Sequence, residues 1–303
     1  MDIDALNARY GIGNDLVFGE HPSGLVYGKI QTNACTGEFF LQGAHVTHYQ
    51  DILFMSSQAI YQQGKALRGG IPICFPWFNS HPSDSSLPAH GWARTSQWQV
   101  LKTQSSDGGL HVELGLSKDD FELVYRIVMG PTLSVSLEVR NNAQVAREYE
   151  VALHSYFRIG DIDQVSVTGD LERCGHYDQL TKLDHSPAQG PIRFSQETDR
   201  IYYGKAPSTA IEDRFLGRFL RIESEGSDST VVWNPWIEKS RKMSDFGDEE
   251  YRQMCCIETS NVRRASLRLE PTESRITRVE ISSQPLRRNV SLQSLRWVAE
   301  KNH

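Results

Sequence analysis

Long apolar runs are missing from this 303-residue sequence. No stretch approaches the roughly 20 apolar residues of a membrane-spanning helix. The opening MDIDALNARYGIGNDLVF lacks the basic and apolar regions of a secretory signal. Positive charge is not in surplus either. Lys and Arg number 32 against 38 Asp and Glu, a net charge of -6 with neutral histidines, which leaves no footprint for nucleic acid or an anionic membrane. Cysteine is sparse: Cys35, Cys74, Cys174, Cys255 and Cys256 are odd in number, scattered and without metal-ligand spacing. That usage fits a reducing cytoplasm. Neither G-x-G-x-x-G nor a P-loop occurs, so a dinucleotide or NTP fold is unsupported. The G-x-S-x-G elbow of the serine hydrolases is absent too. Nothing in the pattern calls for an obligatory protein partner.

What is present is two-residue periodicity. In FELVYRIVM, Phe121, Leu123, Tyr125, Ile127 and Met129 share one face, and in LSVSLEV so do Leu133, Val135, Leu137 and Val139. Shorter alternating runs, QVSVTG, RFLRIES, ASLRLEP and ITRVEIS, are separated by Gly, Asn, Asp or Pro. Strands at such spacing predict an all-β chain, a large antiparallel sandwich. Helical patterns are few: residues 5–10, the segment around 248–254, and the tail SLQSLRWVAEKN, where Leu292, Leu295 and Val298 recur at helical spacing. The polar stretch LDHSPAQGPIRFSQETDR lies between strands of similar character. It reads as an excursion within one domain spanning residues 1–303.

Three stretches could carry chemistry. RGGIPICFPWFNSHPSDSSLPAHGWAR, residues 68–94, is too rich in Pro and Gly for a regular element and too aromatic for disorder. It places Arg68 and Arg94 at its ends, with His81 and His90 inside. Arginine pairs suit bidentate recognition of carboxylate or phosphate; as surface charges they would need no ligand. In YEVALHSYF, alternation places His154 on one face with Glu150, Tyr156 and Arg158. That face is either solvated or lines a polar cleft. MCCIETSN carries one carboxylate, Glu258, in an apolar strand. A carboxylate there is either paired, with Arg263 or Arg264 the nearest in sequence, or open to a cleft with a shifted pKa suited to general-base work. His45 and His48 stand three apart in GAHVTHY, on opposite faces of a strand, and Cys255 and Cys256 likewise point apart. Neither pair makes a metal site.

GAHVTHY, RGGIPICFPWF, LPAHGWAR, ALHSYF, VVWNPW, MSDFGDEEY and CIETSN occur in that order. Together they resemble the D-hexose-6-phosphate mutarotases, a branch of the aldose 1-epimerase-like proteins, over about residues 20–285. The resemblance implies a galactose-mutarotase-type β-supersandwich, cytoplasmic, without a required cofactor or metal, acting on a small-molecule hexose 6-phosphate. By the same resemblance His154 matches the catalytic acid and Glu258 the catalytic base. Arg68, Arg94 and Asp199, the last in TDRIY, match substrate-binding positions, and His90 a second active-site histidine. One departure is Ala89, where some members carry Gln. The implied reaction opens a cyclic aldose to its aldehyde, rotates about C1–C2 and recloses, interconverting α and β anomers. A non-catalytic carbohydrate-binding protein, an epimerase of unphosphorylated aldoses, and a glycosidase using Glu258 with Asp199 are the competing readings.

Overall fold

The computed structural model describes residues 2–187 and 190–286. Strands dominate, as the alternation predicts. Phe121–Met129 and Leu133–Asn141 bury every second side chain, because successive Cβ atoms in a pleated strand point to opposite faces. They belong to an eight-stranded antiparallel sheet, called here the back sheet. Its order is Val165–Gly169, Ser208–Asp213, Arg218–Glu225, Ser274–Pro285, Leu133–Asn141, Phe121–Met129, Gly109–Lys118 and Gln99–Ser106.

A second eight-stranded sheet, the front sheet, runs Leu183–His185, His176–Asp178, Thr198–Tyr203, Ser229–Asn234, Met254–Asn261, Val151–Leu153 and Ile73–Cys74. Tyr156–Arg158 adds to it beside Met254–Asn261. The polar stretch of residues 183–200 thus supplies the edge strand Leu183–His185 and the start of the inner strand Thr198–Tyr203, which carries Asp199. Leu16–Glu20, Val26–Gln31, Thr36–Phe40 and His45–Tyr49 form a separate four-stranded meander.

The main core lies between the two large sheets. Leu123, Tyr125, Val135, Leu220 and Ile281 of the back sheet meet Val232, Cys255 and Ile257 of the front sheet, all under 2% exposed. Each such aliphatic side chain stabilises the fold by about 1.5–3 kcal/mol relative to exposure. The two central front strands, Ser229–Asn234 and Met254–Asn261, are buried on both faces. Their outward face carries a smaller cluster containing Tyr156, Ile201, Val231, Trp233 and Cys256. Loops cover that second face, and a polar residue placed there sits in a nearly dry environment.

Helix is confined to short pieces. Ile3–Tyr10 forms where the sequence predicts a helix, with Asp2 accepting from the Ala5 amide at 3.1 Å as its N-cap. The segment around 248–254 makes only a 3-10 turn, Glu250–Gln253. Its Glu250 carboxylate is spent on bonds from distant Ser56 Oγ and the Ser57 amide and from the nearby Gly247 amide. A short helix absent from the sequence reading, Trp236–Ser240, follows Asn-Pro. Asn234 sets it up by accepting from the Trp236 amide while donating to the Tyr251 and Met254 carbonyls. The helical pattern in the tail lies outside the described residues. Among the described residues no helix is long and apolar enough to cross a membrane.

Candidate active site

Strand register assembles the site. Cys256 lies opposite both Trp233 and Tyr156, Trp233 opposite Asp199, and Glu258 opposite Val231. All of these point to the outward face of the front sheet. His154 occupies a break between Val151–Leu153 and Tyr156–Arg158, where the Ser155 amide bonds the Leu153 carbonyl at 2.8 Å. The break turns the His154 ring flat onto Tyr156, with centroids 4.7 Å apart and planes 8° from parallel. Its Nε2 then stands 3.4 Å from Glu258 Oε1.

Of the residues that alternation grouped with His154, Tyr156 does share its face. Arg158 instead pairs with Asp51 at the surface. Glu150 ties two loops, accepting from the Phe78 amide at 2.8 Å and the Arg263 amide at 2.6 Å. The pairing alternative for Glu258 fails: Arg264 is held bidentately by Asp184, at 2.8 Å twice, and Glu258 faces His154.

The stiff loop of residues 68–94 delivers three more groups. Gly69 and Gly70 take φ of 122° and 62°, and a Cβ on Gly70 would stand 2.2 Å from the Val46 carbonyl oxygen. This close approach turns Arg68 toward the site. Its Nε and Nη2 donate to Asp245 Oδ2 at 3.2 and 3.1 Å, and its Nη1 donates to the Tyr156 hydroxyl at 3.0 Å. His90, at φ 63°, accepts on Nδ1 from the Asn79 amide and packs edge-on against His154 at 5.9 Å. Arg94 donates from Nη2 to the Ala89 carbonyl at 2.7 Å, while its buried Nε has no partner. His81 lies apart, in exposed turns with Ser83 and Asp84.

Asp199 comes from the neighbouring strand. Its Oδ1 accepts from Gln179, whose own Oε1 accepts from Asn79 Nδ2 at 2.8 Å, and Lys239 Nζ lies 3.9 Å from Oδ2. The groups named so far enclose a cavity of about 240 Å³ whose walls include Arg68, His90, His154, Asp199, Lys239 and Glu258. A second compartment of about 280 Å³, lined by Lys65, Arg68, Arg94, Tyr156 and Asp245, shares the Arg68–Tyr156 wall. Arg94 therefore opens onto the neighbouring compartment, not onto the His154–Glu258 cavity itself. Gln179, Asn79, Lys239 and Asp245 escaped the sequence reading as site residues. Asn79 and Asp245 lay in quoted stretches, but none of the four has a local pattern that marks a role.

Burial sets the electrostatics. Glu258 is 1% exposed. Burial, and then the Asp199 charge, holds its carboxyl well above the usual range. Burial, and then the positive charges of Arg94 and Arg68, holds His154 well below its ordinary value. Asp199 is raised by burial, with Lys239 opposing. His90 is pushed far down, again by burial first and then by Arg94 and His154. Both shifts favour the uncharged forms, a protonated carboxyl beside a neutral imidazole. Among the described residues, His154 Nδ1 and Glu258 Oε2 are buried without hydrogen-bond partners, which is uncommon for buried polar atoms. His154, Cys256 and Glu258 could also converge on a metal ion. Burial keeps the Cys256 thiol protonated, however, so the set offers no ready thiolate. His45 and His48 stay apart, the first buried on the Gly69 carbonyl and the second beside Thr36.

Known proteins place this arrangement in context. The profile of the family described as Aldose 1-epimerase matches residues 29–282. A protein from Cenchrus ciliaris named "Putative glucose-6-phosphate 1-epimerase" is 34% identical over 275 residues, 83% of this chain and 82% of its own. One of the same name from Escherichia coli K12 is 31% identical over 262 residues, 81% of this chain and 83% of its own. The crystal structure of a "putative mutarotase (YeaD)" from Salmonella typhimurium superposes with a TM-score of 0.84 at 26% identity, covering 93% of this chain and 99% of that one.

Proposed function

The chain belongs to the aldose 1-epimerase family, and on that premise we propose that it is a hexose-6-phosphate mutarotase with Glu258 as base and His154 as acid. The observation that carries this reading is the isolated His154–Glu258 pair, 3.4 Å apart. Each partner carries a buried atom without a hydrogen-bond partner among the described residues. Ring opening needs one group to take the anomeric hydroxyl proton and another to protonate the ring oxygen. The resting pair holds one proton. The working pair, carboxylate plus imidazolium, also holds one. Passing from one to the other moves a proton across the pair and changes no net charge. Sugar hydroxyls bonding to Glu258 would favour the ionised form, since hydrogen bonds to a carboxylate lower its pKa. On reclosure the two groups exchange roles, and each contributes typically 10²–10⁴-fold.

In this reading the 6-phosphate enters the compartment between Arg68 and Arg94. Arg94 meets it first, because among the described residues its guanidinium makes one bond, from Nη2 to the Ala89 carbonyl, while Arg68 is committed to Asp245 and Tyr156. Asp199 and His90 hold hydroxyls at the other side of the ring. The same Asp245 contact favours a second reading, an epimerase of unphosphorylated aldoses, because the carboxylate already neutralises Arg68.

Magnetisation-exchange NMR between the anomers of glucose 6-phosphate and of glucose tests both readings. The wild type and the His154→Ala and Glu258→Gln variants would be compared. Fast exchange on the phosphate ester, lost in both variants, is the expected result. Enhancement confined to glucose would move the assignment to the second reading. No enhancement on either sugar would leave a carbohydrate-binding protein.

A further inference from the structure

On the same outward face, beyond Gln179, lies a third compartment. It is larger than the catalytic cavity, about 410 Å³ against about 240 Å³, and is lined by Tyr177, Gln179, Lys182, Tyr203, Arg263 and Arg264. Register puts it in line with the site across the sheet, with buried Ile201 and Val231 between the two. Tyr177 lies opposite Ile201, Ile201 opposite Val231, and Val231 opposite Glu258, one row across four strands. Three strand spacings of about 4.8 Å put Tyr177 roughly 14 Å from Glu258 along that row. That span is the reach of two linked sugar rings rather than one.

The compartment is built with the same strain as the cavity beside it. The cavity has Asn79 and His90 at φ of 62° and 63°, and the compartment has Lys182 and Arg263 at 63° and 56°. Non-glycine residues in the left-handed region cost free energy and persist where surroundings enforce them, often at ligand sites. Carboxylates enforce both. Asp178 Oδ1 accepts from the Leu180 and Thr181 amides, and its carbonyl takes the Lys182 amide at 2.9 Å. Glu150 bonds the Arg263 amide through one oxygen and the Phe78 amide through the other. One side chain therefore fixes both the loop carrying Asn79 and the loop carrying Arg263.

The lining has a definite chemistry. Arg264 is neutralised by Asp184 and lies over the Tyr177 and Tyr203 rings, 5.5 and 5.3 Å from their centroids. It acts as wall. Lys182 and Arg263, in contrast, form no ion pair among the described residues. The tyrosine rings, with Arg264 stacked over them, suit the apolar face of a sugar at their free edges, and the two exposed, uncommitted cations suit an anion carried on it.

We propose that this compartment is a second subsite, holding an anionic sugar unit linked to the reducing hexose in the His154–Glu258 cavity. Substrates would then include phosphorylated disaccharides with a free reducing end. The proposal rests on the mutarotase reading for the placement of the reducing ring. With the anomeric carbon at His154 and Glu258, the opposite edge of the ring, C4, would be set toward Asp199, with Gln179 bonded behind it. A unit attached through O4 is directed between the tyrosines.

The test compares maltose with maltose 6′-phosphate, whose phosphate sits on the non-reducing unit. Anomer exchange would be measured on both sugars with wild type, a Lys182→Ala/Arg263→Ala double variant and its Glu/Glu counterpart. The readout is the ratio of kcat/KM values for the two sugars on one preparation, which does not depend on the fraction folded. Wild type is expected to favour the phosphorylated disaccharide by about fivefold or more. The alanine variant should bring the ratio near one, and the Glu/Glu variant should take it below one. A wild-type ratio near one, or a preference that survives both variants, overturns the proposal. Should no sugar exchange at all, the mutarotase reading fails by itself. The subsite is then read from calorimetric binding of the same two disaccharides. A binding preference lost in the variants supports it, and equal binding refutes it.

Discussion

Replacing Glu258 by Gln removes a base and a buried ionisable group in one step, and the two consequences have opposite signs. Gln keeps the size of the side chain but cannot take the anomeric proton. General-base catalysis contributes typically 10²–10⁴-fold, so kcat should fall by that factor, about 2.7–5.4 kcal/mol of transition-state stabilisation at 1.36 kcal/mol per tenfold. Stability should move the other way. Glu258 sits 1% exposed in a strand buried on both faces, with Oε2 unpartnered. Burial holds its carboxyl well above the ordinary value. A raised folded-state pKa means the folded chain keeps a proton that the unfolded chain has already released. The stability this group contributes is present below the unfolded value, near 4.5, and is lost as pH rises through the folded one. Gln has no such loss. The variant should therefore melt close to wild type at pH 4 and above it at pH 8. An unsatisfied buried polar group costs on the order of 1–3 kcal/mol, and each kcal/mol shifts Tm by about 2–4 °C in a domain somewhat smaller than this one. The assays are anomer exchange at saturating substrate and calorimetric melts at the two pH values. A kcat within threefold of wild type would remove Glu258 from the base position. A Tm difference that does not grow with pH would show that the carboxylate carries no burial penalty.

Arg94→Ala should cost glucose 6-phosphate at least tenfold more in kcat/KM than it costs glucose, since hydrogen bonds to charged groups are worth about 1.5–3 kcal/mol; equal losses would sink the phosphate compartment. The pH profile of kcat/KM should be a bell with a broad plateau across neutrality. Burial raises Glu258 and lowers His154, so the one-proton pair persists between its two macroscopic steps; a single inflection near the ordinary histidine value would contradict the pair. Tyr156→Phe keeps the ring stacked on His154 and removes the hydroxyl that accepts from Arg68. It is expected to raise KM for the phosphate ester several-fold rather than lower kcat, and a hundredfold loss of kcat would put the hydroxyl in the chemistry. Gly91→Ala places a Cβ 1.9 Å from the Phe75 carbonyl oxygen at φ 74°. Strain of about 1–3 kcal/mol should lower Tm by several °C, and an unchanged Tm would mean that the loop yields freely.

Much of this protein is legible along the chain. Period-two alternation specifies the back-sheet faces at Phe121–Met129 and Leu133–Asn141, because a pleated strand half buried in a core must alternate. A lone carboxylate in MCCIETSN stands out, since it is costly where it sits, whereas the histidine in ALHSYF is singled out only by the motif it shares with the family. The density of Pro and Gly around Arg68 and Arg94 announces a stiff loop, because those residue types limit the backbone locally.

Other features depend on contacts between distant segments, and no local pattern encodes them. Glu258 meets His154 instead of Arg263 or Arg264 because strand register, not sequence proximity, sets which side chains face each other. His154 leaves regular strand geometry, a break invisible in the alternation around it. Asp245 takes Arg68 from 177 residues away, and Gln179 links Asn79 to Asp199 across 100 and 20 residues. Local sequence thus determined that this chain forms β-sheets and which polar residues they bury at a cost. Tertiary structure alone decided which of them face one another, and with that the electrostatics of the pair and the partner of each arginine.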